Sequence, residues 1–218
     1  MKAKLKVVIT AGPTREHLDP VRFLSNPSTG KMGFALARAA AAHGHEVVLI
    51  AGPVGLKTPA HVTRVNVTSA REMRTAVETV LGPRASRDAR HTVFIATAAV
   101  ADWRPATCAK TKLKKGAMTD VLRLKRNPDI VASVKGVRKV GFAAETGDPR
   151  SEAARKCRAK NLEFIVANDV TKPDAGFGVD TNRVVILRPD GASESWPVQT
   201  KLSIAKKIIT LIEKKTDR

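Results

Sequence analysis

Short apolar runs rich in β-branched residues alternate along this chain with segments whose apolar positions recur at helical spacing. The apolar runs predict six strands, at 6–11, 46–51, 62–67, 92–100, 139–144 and 162–167. Helices are predicted between them, at 30–43, after the capping box at 69–72 and after 148–149. Because such alternation is typical of parallel sheets, the pattern predicts a three-layer, Rossmann-like α/β fold, mostly parallel, with helices on both faces of the sheet.

The pattern changes near the end of the chain. Segments 183–187 and 194–198 flank a Pro-Asp-Gly turn and predict a C-terminal antiparallel hairpin, after which Thr200 is a predicted N-cap of the last helix. A short edge strand is predicted at 121–124, and the charge-free run 92–100 is expected at the sheet centre. No internal repeat or linker interrupts the chain, so we expect a single domain, residues 1–218.

Composition narrows the class of protein. The 218 residues are 43% hydrophobic, which suffices for a sizeable core. No apolar run approaches the ~20 residues that span a bilayer, and the N-terminus lacks a secretory signal pattern, so we expect a cytoplasmic protein without membrane association. Cys108 and Cys157 form no CxxC pair and predict free thiols, not a disulfide framework or a zinc site.

The formal charge of +19 indicates attraction to polyanions, which include nucleic acids, anionic membranes and small, highly charged substrates. Aromatic residues make up only 4% of the chain and tyrosine is absent, which leaves few platforms for base stacking. Binding of nucleic acid is therefore disfavoured, although part of the excess charge is also explained by a basic solvated surface.

The segment 25–33, SNPSTGKMG, follows the first predicted strand and its loop, and it opens the first helix. Backbone amides at a helix start attract anions, and Ser28 or Thr29 is a plausible N-cap. A plain strand-to-helix connection remains the alternative. A dinucleotide loop is disfavoured, because Gly30-x-x-Gly33 is not G-x-G-x-x-G and the second strand ends in Ala51-Gly52-Pro53 without the acidic residue that binds ribose.

Asp102 follows the central strand, at the edge where open α/β sheets place ligands, and its carboxylate suits ribose hydroxyls. A turn aspartate is the alternative. The lysine-rich loop 110–116 comes shortly afterwards and could close over phosphates as a flap, or remain solvated. Lys156 and Lys160 lie four residues apart and share a helix face, either opposite an anion or directed to water.

Five separated stretches then coincide with one family. They are ITAGPTRE at 9–16, SNPSTGKMG at 25–33, AAVAD at 98–102, KLKK at 112–115 and GFAAET at 141–146. NPDI at 127–130, ANDV at 167–170 and GFG at 176–178 extend the match over nearly the whole chain. The chain resembles bacterial phosphopantothenate-cysteine ligase.

The resemblance implies that 4′-phosphopantothenate and cysteine are joined with CTP through an acyl-cytidylate, with release of pyrophosphate and then CMP. In that reaction Asn26 corresponds to the asparagine associated with conversion of the acyl-cytidylate, and Lys112 to the flap lysine of the first half-reaction. Ser28, Thr29 and Gly30 are candidates for the phosphate of phosphopantothenate. The implied nucleotide-binding residues are Ala96, Thr97, Ala98, Asp102, Lys112, Lys125, Arg126, Asn127, Pro128, Phe142, Lys156 and Lys160.

The resemblance also implies Mg²⁺, although no carboxylate identifies itself as a ligand, and a homodimer. Departures from the family pattern are Pro27-Ser28-Thr29 where a Ser-Ser pair is common, Trp103 in place of Tyr or Phe, and Arg126 in place of Lys. Many family members carry a preceding flavin-dependent decarboxylase. Since this sequence begins near the first ligase strand, we expect ligase activity without FMN or decarboxylation.

Two other functions are compatible with parts of the sequence. A short-chain-type reductase using NADPH would suit a basic protein, but that class requires a tyrosine that this chain lacks. A nucleic-acid-binding module would suit the charge alone. A nucleotide-dependent turnover assay distinguishes the ligase from both.

Overall fold

The computed structural model describes residues 3–85, 88–117, 121–148 and 150–216. Strands in this part of the chain are β1 (Lys6–Ala11), β2 (Arg15–His17), β3 (Phe23–Ser25), β4 (Glu46–Ala51), β5 (Val62–Asn66), β6 (Thr92–Ala96), β7 (Trp103–Pro105), β8 (Leu124–Arg126), β9 (Arg138–Glu145), β10 (Phe164–Asp169), β11 (Thr181–Leu187) and β12 (Ser193–Thr200). The helices are α1 (Lys31–Ala42), α2 (Ala70–Ala85), α3 (Ile130–Ser133), α4 (Arg150–Ala159) and α5 (Lys201–Lys214).

Eight strands form one sheet in the order β12-β11-β10-β9-β6-β1-β4-β5. The six strands from β5 to β10 are parallel, and β11 and β12 extend the sheet antiparallel beside β10. The predicted mostly parallel sheet with a C-terminal hairpin is confirmed. The run that begins at residue 92 does lie in the sheet interior, although its strand ends at Ala96 and not at Val100.

Helices cover both faces of the sheet. Residues of α1 and α5, such as Leu36 and Ile208, pack with Ile9 on one face. On the other face, Met73 of α2 packs with Phe94, while α3 and α4 cover the neighbouring strands. Parallel strands buried on both sides explain the charge-free runs in the sequence.

Two small sheets lie outside this core, and both differ from expectation. The predicted loop at 14–26 contains the β2–β3 hairpin, whose turn is held by the Asp19 carboxylate accepting from the backbone N–H of Val21 and of Arg22, each at 2.8 Å. The edge strand predicted at 121–124 is wrong, because β8 pairs antiparallel with β7 in a separate two-stranded sheet. The strands of these two small sheets are too short and too polar to show an alternation of apolar and polar residues in the sequence.

Two further findings concern membrane-spanning helices and the two cysteines. Within the described ranges no helix has the length and apolar character needed to cross a membrane. Cys108 is exposed and Cys157 is buried, and both are free thiols, as predicted. Burial raises the pKa of the Cys157 thiol, which makes it a core residue of low reactivity.

Candidate active site

A cavity of about 670 Å³ opens at the carboxyl edge of the parallel sheet. Its walls come from the ends of β1, β6 and β9, from the turn before α1 and from the connections that follow β6 and β8. It brings together thirteen of the residues predicted for the site. These are Ser28, Thr29, Gly30, Ala96, Thr97, Ala98, Asp102, Arg126, Asn127, Pro128, Phe142, Lys156 and Lys160.

The turn before α1 lines the cavity. The predicted N-cap at Ser28 or Thr29 is wrong, because Gly30 occupies the cap with a φ of 79°, a left-handed conformation that favours glycine. The Thr29 hydroxyl donates instead to the Phe177 carbonyl oxygen at 2.7 Å. Among the residues that the structure describes, no side chain caps α1, so its first amides are available to an anion in the cavity.

Gly33 allows α1 to approach the sheet closely at this point. A Cβ atom there would lie 2.5 Å from the Ala11 Cβ and 2.6 Å from the Thr97 Oγ1, which is closer than atoms can pack. The Thr97 hydroxyl is itself held by the Thr10 carbonyl oxygen at 2.6 Å. The helix start is therefore fixed against the strand ends that line the cavity.

Asp102 lies in the middle of the cavity wall. Its carbonyl oxygen accepts from the Asn127 N–H at 2.8 Å, and the Asn127 side-chain amide donates to the Ala101 carbonyl oxygen at 2.8 Å. Within the described residues the Asp102 carboxylate has no hydrogen-bond or ion-pair partner. A carboxylate in this position is able to accept hydrogen bonds from the hydroxyl groups of a ligand.

Two lysines, Lys156 and Lys160, add positive charge to the cavity wall. Lys156 of α4 pairs with Glu145 at 2.6 Å, and Lys160 pairs with Asp129 at 2.9 Å. Each lysine is therefore held by a carboxylate while it lines the cavity. A ligand with several phosphate oxygens would compete with these carboxylates for the same N–H donors.

Asp129 also serves the local fold, since its carboxylate caps α3 by accepting from the Ala132 N–H at 3.0 Å. Burial raises the pKa of the Asp129 carboxyl, but hydrogen bonds from Lys160 and the Ala132 amide lower it more, so the pKa falls below its ordinary value. The carboxylate is thus charged at neutral pH and keeps Lys160 in position.

Asn26, Lys112 and Lys125 do not line the cavity. Asn26 follows β3 and lies beside the cavity. Its side-chain amide donates, at 3.0 Å, to the carbonyl oxygen of Ala99, which lines the cavity. That bond uses one of the two N–H groups of the amide. Lys125 belongs to β8 and is exposed.

Lys112 is exposed on the flap, residues 110–116, which is fastened to the β2–β3 hairpin. The Leu113 N–H donates to the Asp19 carboxylate at 3.1 Å, and the Arg22 guanidinium donates to the Leu113 carbonyl oxygen at 2.6 Å. Burial raises the pKa of Asp19, yet hydrogen bonds from the amides of Val21, Arg22 and Leu113 and from the Arg22 guanidinium hold it far below its usual range. The flap is therefore anchored by a carboxylate that stays charged.

An aromatic and basic platform adjoins the cavity where β7 and β8 pair. The Arg126 guanidinium lies over the Trp103 ring, 5.0 Å from its centroid. Arg104 donates to the carbonyl oxygen of Arg126 and, at 3.1 Å, to the side-chain oxygen of Asn127. Such contacts fix the connection that carries Arg126 to Pro128 into the wall.

Sequence reasoning missed several lining residues at the end of β10, in the loop that follows it and at the start of α5. Asn168, Ala175, Phe177 and Lys201 all reach the cavity. The GFG motif at 176–178 marked the loop, but without a role. Lys201 begins α5 with no sequence signal, because its burial depends on a distant loop.

The described residues contain no cluster of three or more His, Cys, Asp or Glu side chains able to hold a metal ion. Asp102 and Asp129 are nevertheless acidic residues of the cavity. This donor set fits a magnesium ion held mainly by phosphate oxygens and water, since Mg²⁺ needs only one or two protein carboxylates in such sites.

Comparison with known proteins agrees with this geometry. The model of the family described as "DNA/pantothenate metabolism flavoprotein C-terminal domain" matches residues 2–216. The crystal structure of the C-terminal domain of coenzyme A biosynthesis bifunctional protein CoaBC superimposes with a TM-score of 0.79 and 38% identity, covering 100% of this chain and 97% of that one. A structure titled "Cab2 mutant H337A complex with phosphopantothenate-cysteine" has a TM-score of 0.79 at 16% identity, covering 98% of this chain and 86% of that one, which shows a shared fold.

Two curated bacterial relatives are each about twice as long as this chain. The protein "Coenzyme A biosynthesis bifunctional protein CoaBC" of Bacillus subtilis is 50% identical over 210 residues, which cover 93% of this chain and 50% of that protein. Its Vibrio cholerae counterpart is 46% identical over 214 residues, covering 95% and 52%. The chain spans about half the length of the curated relatives it matches. By the extent of these matches, the chain belongs to the family of the DNA/pantothenate metabolism flavoprotein C-terminal domain.

Proposed function

We propose that this protein is a phosphopantothenate-cysteine ligase that uses CTP. The observation that carries the proposal is one cavity that is lined both by the uncapped start of α1 and by two lysines, in a chain 38% identical to the CoaBC C-terminal domain over its full length. Two anionic substrates have to meet in one place for this reaction. A cavity lined by both kinds of positive group meets that requirement.

In the first half-reaction, the carboxylate of 4′-phosphopantothenate attacks the α-phosphorus of CTP. A bond from the carboxylate oxygen to phosphorus forms, the bond to the β-phosphate oxygen breaks, and pyrophosphate leaves. Lys156 and Lys160 bind the polyphosphate, and Asp102 accepts hydrogen bonds from the ribose hydroxyls. The amides at the start of α1, with Ser28 and Thr29, bind the phosphate of phosphopantothenate.

In the second half-reaction, the cysteine amine attacks the acyl carbonyl, CMP leaves with the bonding electrons, and the amine loses a proton as the amide forms. Asn26 is the proposed stabiliser of the carbonyl oxygen as it gains charge. One of its N–H groups is engaged by the Ala99 carbonyl oxygen, which fixes the amide plane and leaves the second N–H for the substrate. A neutral donor avoids trapping the starting carboxylate as tightly as a cation would.

Lys112 is proposed to act in the first half-reaction after the flap moves. Since it does not line the cavity, the contacts of Leu113 with Asp19 and Arg22 have to break or shift before its ammonium reaches the nucleotide. Closure of a flap on bound substrate also excludes water from an intermediate that water would hydrolyse.

Magnesium is proposed as a partner of the triphosphate, with Asp102 or Asp129 as the carboxylate nearest to it in the cavity. The ion would neutralise charge on the leaving pyrophosphate. Preference for CTP over the other triphosphates, the absence of FMN and a single domain spanning 1–218 also stay predictions. The visible absorption spectrum of the purified protein tests for FMN, and thermal unfolding in one transition tests the domain prediction.

We also propose a homodimer formed through the two small hairpins. Among the described residues, most of the large apolar side chains that are well exposed lie in these two hairpins or directly next to their strands. They include Val21 and Phe23 in the first hairpin, and Trp103, Leu122 and Leu124 in or next to β7 and β8. A two-stranded sheet is weak alone and has open edges, which favours burial against a second copy. Sedimentation of the wild type as a dimer, and of Phe23→Asp as a monomer, supports this; a monomeric wild type contradicts it.

The test of the ligase proposal separates the two half-reactions. Purified protein with Mg²⁺, phosphopantothenate and each of the four nucleoside triphosphates is assayed for pyrophosphate without cysteine, and CMP is measured after cysteine is added. We expect pyrophosphate release with CTP and CMP release only with cysteine. A folded protein that performs neither step contradicts the proposal.

A further inference from the structure

Lys201, the first residue of α5, is a buried lysine in the wall of the cavity, with 6% of its surface exposed. Its ammonium donates to the carbonyl oxygens of Gly176 at 3.0 Å, of Phe177 at 3.3 Å and of Val179. An ammonium has three N–H donors, and three carbonyl oxygens engage all of them. Lys201 therefore has no donor left for a ligand, although it lines the site.

The loop that these bonds hold, residues 175–180, is also tied to the rest of the cavity. The Phe177 carbonyl oxygen accepts from the Thr29 hydroxyl at 2.7 Å, and the Ala175 carbonyl oxygen accepts from the Asn168 side chain at 2.7 Å. Lys31 of α1 donates to the Gly178 carbonyl oxygen at 2.7 Å and pairs with Asp180 at 2.8 Å. The loop thus connects the start of α5 to the turn before α1.

Charge explains why a lysine is needed at this position. The loop carries little side-chain bulk of its own, since its sequence is Ala-Gly-Phe-Gly-Val-Asp, and it forms no helix or strand. Carbonyl oxygens that converge beside an anion-binding turn carry partial negative charge, which would repel a phosphate. A buried cation compensates these dipoles and gives the loop one conformation. Burial lowers the pKa of the Lys201 ammonium, and the neighbouring Lys31 lowers it further.

We propose that Lys201 is a positioning residue whose ammonium replaces a bound monovalent cation in a cradle of carbonyl oxygens, and so orders the 175–180 loop against the turn at Thr29. The inference that this loop supports the phosphopantothenate end of the cavity rests on the proposed function. The inference that Lys201 orders the loop is independent of the proposed function.

The first measurement follows the loop directly. Hydrogen exchange of peptides covering 175–180 is compared in the wild type, in Lys201→Met, which keeps the apolar stem, and in Lys201→Ala. The Lys201 N–H bond to the Asp180 carbonyl oxygen, at 2.8 Å, remains in both variants and retains the start of α5. We expect exchange of the loop to rise about tenfold with exchange of β10 unchanged. Lys206→Ala, which removes an exposed lysine of the same helix, is the matched control.

The second measurement is chemical rescue of Lys201→Ala. Ammonium has N–H donors and fits the vacated cradle, whereas tetramethylammonium carries the same charge without a donor. At matched ionic strength, ammonium is expected to restore slow exchange of the loop, and tetramethylammonium is not. Unchanged exchange in both variants, or equal rescue by the two ions, overturns the proposal.

The third measurement is kinetic. For Lys201→Met we expect the KM for phosphopantothenate to rise about tenfold, while kcat and the KM for CTP change less than about threefold. A loss confined to kcat would instead assign Lys201 to the chemical step and overturn the positioning role. If the wild type shows no ligation at all, the proposed function fails, while the exchange and rescue measurements still decide the role of Lys201.

Discussion

The cavity and the flap both depend on lysines, but they hold them in opposite ways. Lys156 and Lys160 lie at the edge of an eight-stranded sheet and are each fixed by a carboxylate, Glu145 or Asp129. Lys112 lies on an exposed connection outside that sheet, and the flap is held through backbone hydrogen bonds of its neighbour Leu113 to Asp19 and Arg22. Fixed cations suit binding, whereas a cation on a movable segment suits a step that begins after the substrates have bound.

The difference has a structural origin. The strands that end at the cavity are paired on both sides, for example β9 with β6 and β10, so their lining residues cannot shift without breaking the sheet. The flap connects β7 and β8, which pair only with each other. Local stability follows the number of buried contacts, which makes the flap the segment able to open at low cost.

Lys112→Gln tests the flap and carries the largest expected effect. The substitution removes the cation that is proposed to stabilise the negative charge that builds on the phosphates during attack. Pyrophosphate release should therefore slow by about 100-fold or more. The KM for CTP should change little, because the cavity lysines still bind it. Single-turnover pyrophosphate assays measure this, with Lys114→Gln as a control that removes a neighbouring charge of the same flap. Normal release by Lys112→Gln would remove this lysine from the mechanism.

Asn26→Asp tests the role of Asn26, which follows β3 outside the main sheet and donates to the cavity residue Ala99. A carboxylate cannot donate to the Ala99 carbonyl oxygen, and its charge opposes the oxyanion that forms when cysteine attacks. We expect a pyrophosphate burst equal to the enzyme concentration, followed by capture of the acyl-cytidylate about 100-fold slower than in the wild type. Asn66→Asp, at the far end of β5, controls for the change of amide to acid. Equal turnover of wild type and Asn26→Asp would contradict the assigned role.

Lys160→Gln tests the cavity alone. Loss of one charge-assisted hydrogen bond to a phosphate should raise the KM for CTP about tenfold and leave the chemical step nearly unchanged. Nucleotide titration by calorimetry and steady-state kinetics measure both quantities, and Lys206→Gln is a control on an exposed surface of α5. A variant with wild-type nucleotide affinity would show that Lys160 serves only its ion pair with Asp129.

Asp19→Asn tests the anchor of the flap and is expected to have the smallest effect. Because hydrogen bonds and Arg22 hold the folded-state pKa of Asp19 far below its unfolded value near 4, its contribution to stability is present above that value and is lost as the pH falls below it. The variant should therefore melt at a lower temperature at pH 7, and the difference from wild type should shrink below pH 4.

Thermal melts from pH 7 to pH 3 measure this dependence, with the exposed Asp88→Asn as control. Loosening the flap should also change the rate of pyrophosphate release by no more than a few fold, since Lys112 is retained. A difference in melting temperature that is constant across this range would mean that Asp19 contributes no charge-dependent anchor.

Much of the fold could be predicted because its signals are local. Apolar runs rich in β-branched residues marked the strands, and the box at Ser69 and Glu72 marked the start of α2, where the Glu72 N–H donates to the Ser69 hydroxyl at 3.2 Å. Thr200 caps α5 as predicted. Asp102, Lys156 and Lys160 all line the cavity, Asp102 from the connection that follows β6, Lys156 from α4 and Lys160 directly after α4.

Several features of the site could not be found in this way. Ser28 and Thr29 have good capping side chains, yet Gly30 occupies the cap, and the Thr29 hydroxyl donates instead to Phe177, 148 residues away. The hairpins β2–β3 and β7–β8 depend on each other and on the carboxylate of Asp19. Contacts of this kind join residues that no local pattern relates.

The sequence by itself determined the parallel α/β architecture and the basic character of the protein, because strand, helix and turn preferences act over a few residues. Tertiary structure alone decided which cations are fixed and which are not. Lys156, Lys160 and Lys201 are held by carboxylates or carbonyl oxygens brought from other elements, while Lys112 stays exposed on the flap. The cause is the strong distance dependence of electrostatic and hydrogen-bond energies, so the role of each lysine follows from partners that only the folded chain places beside it.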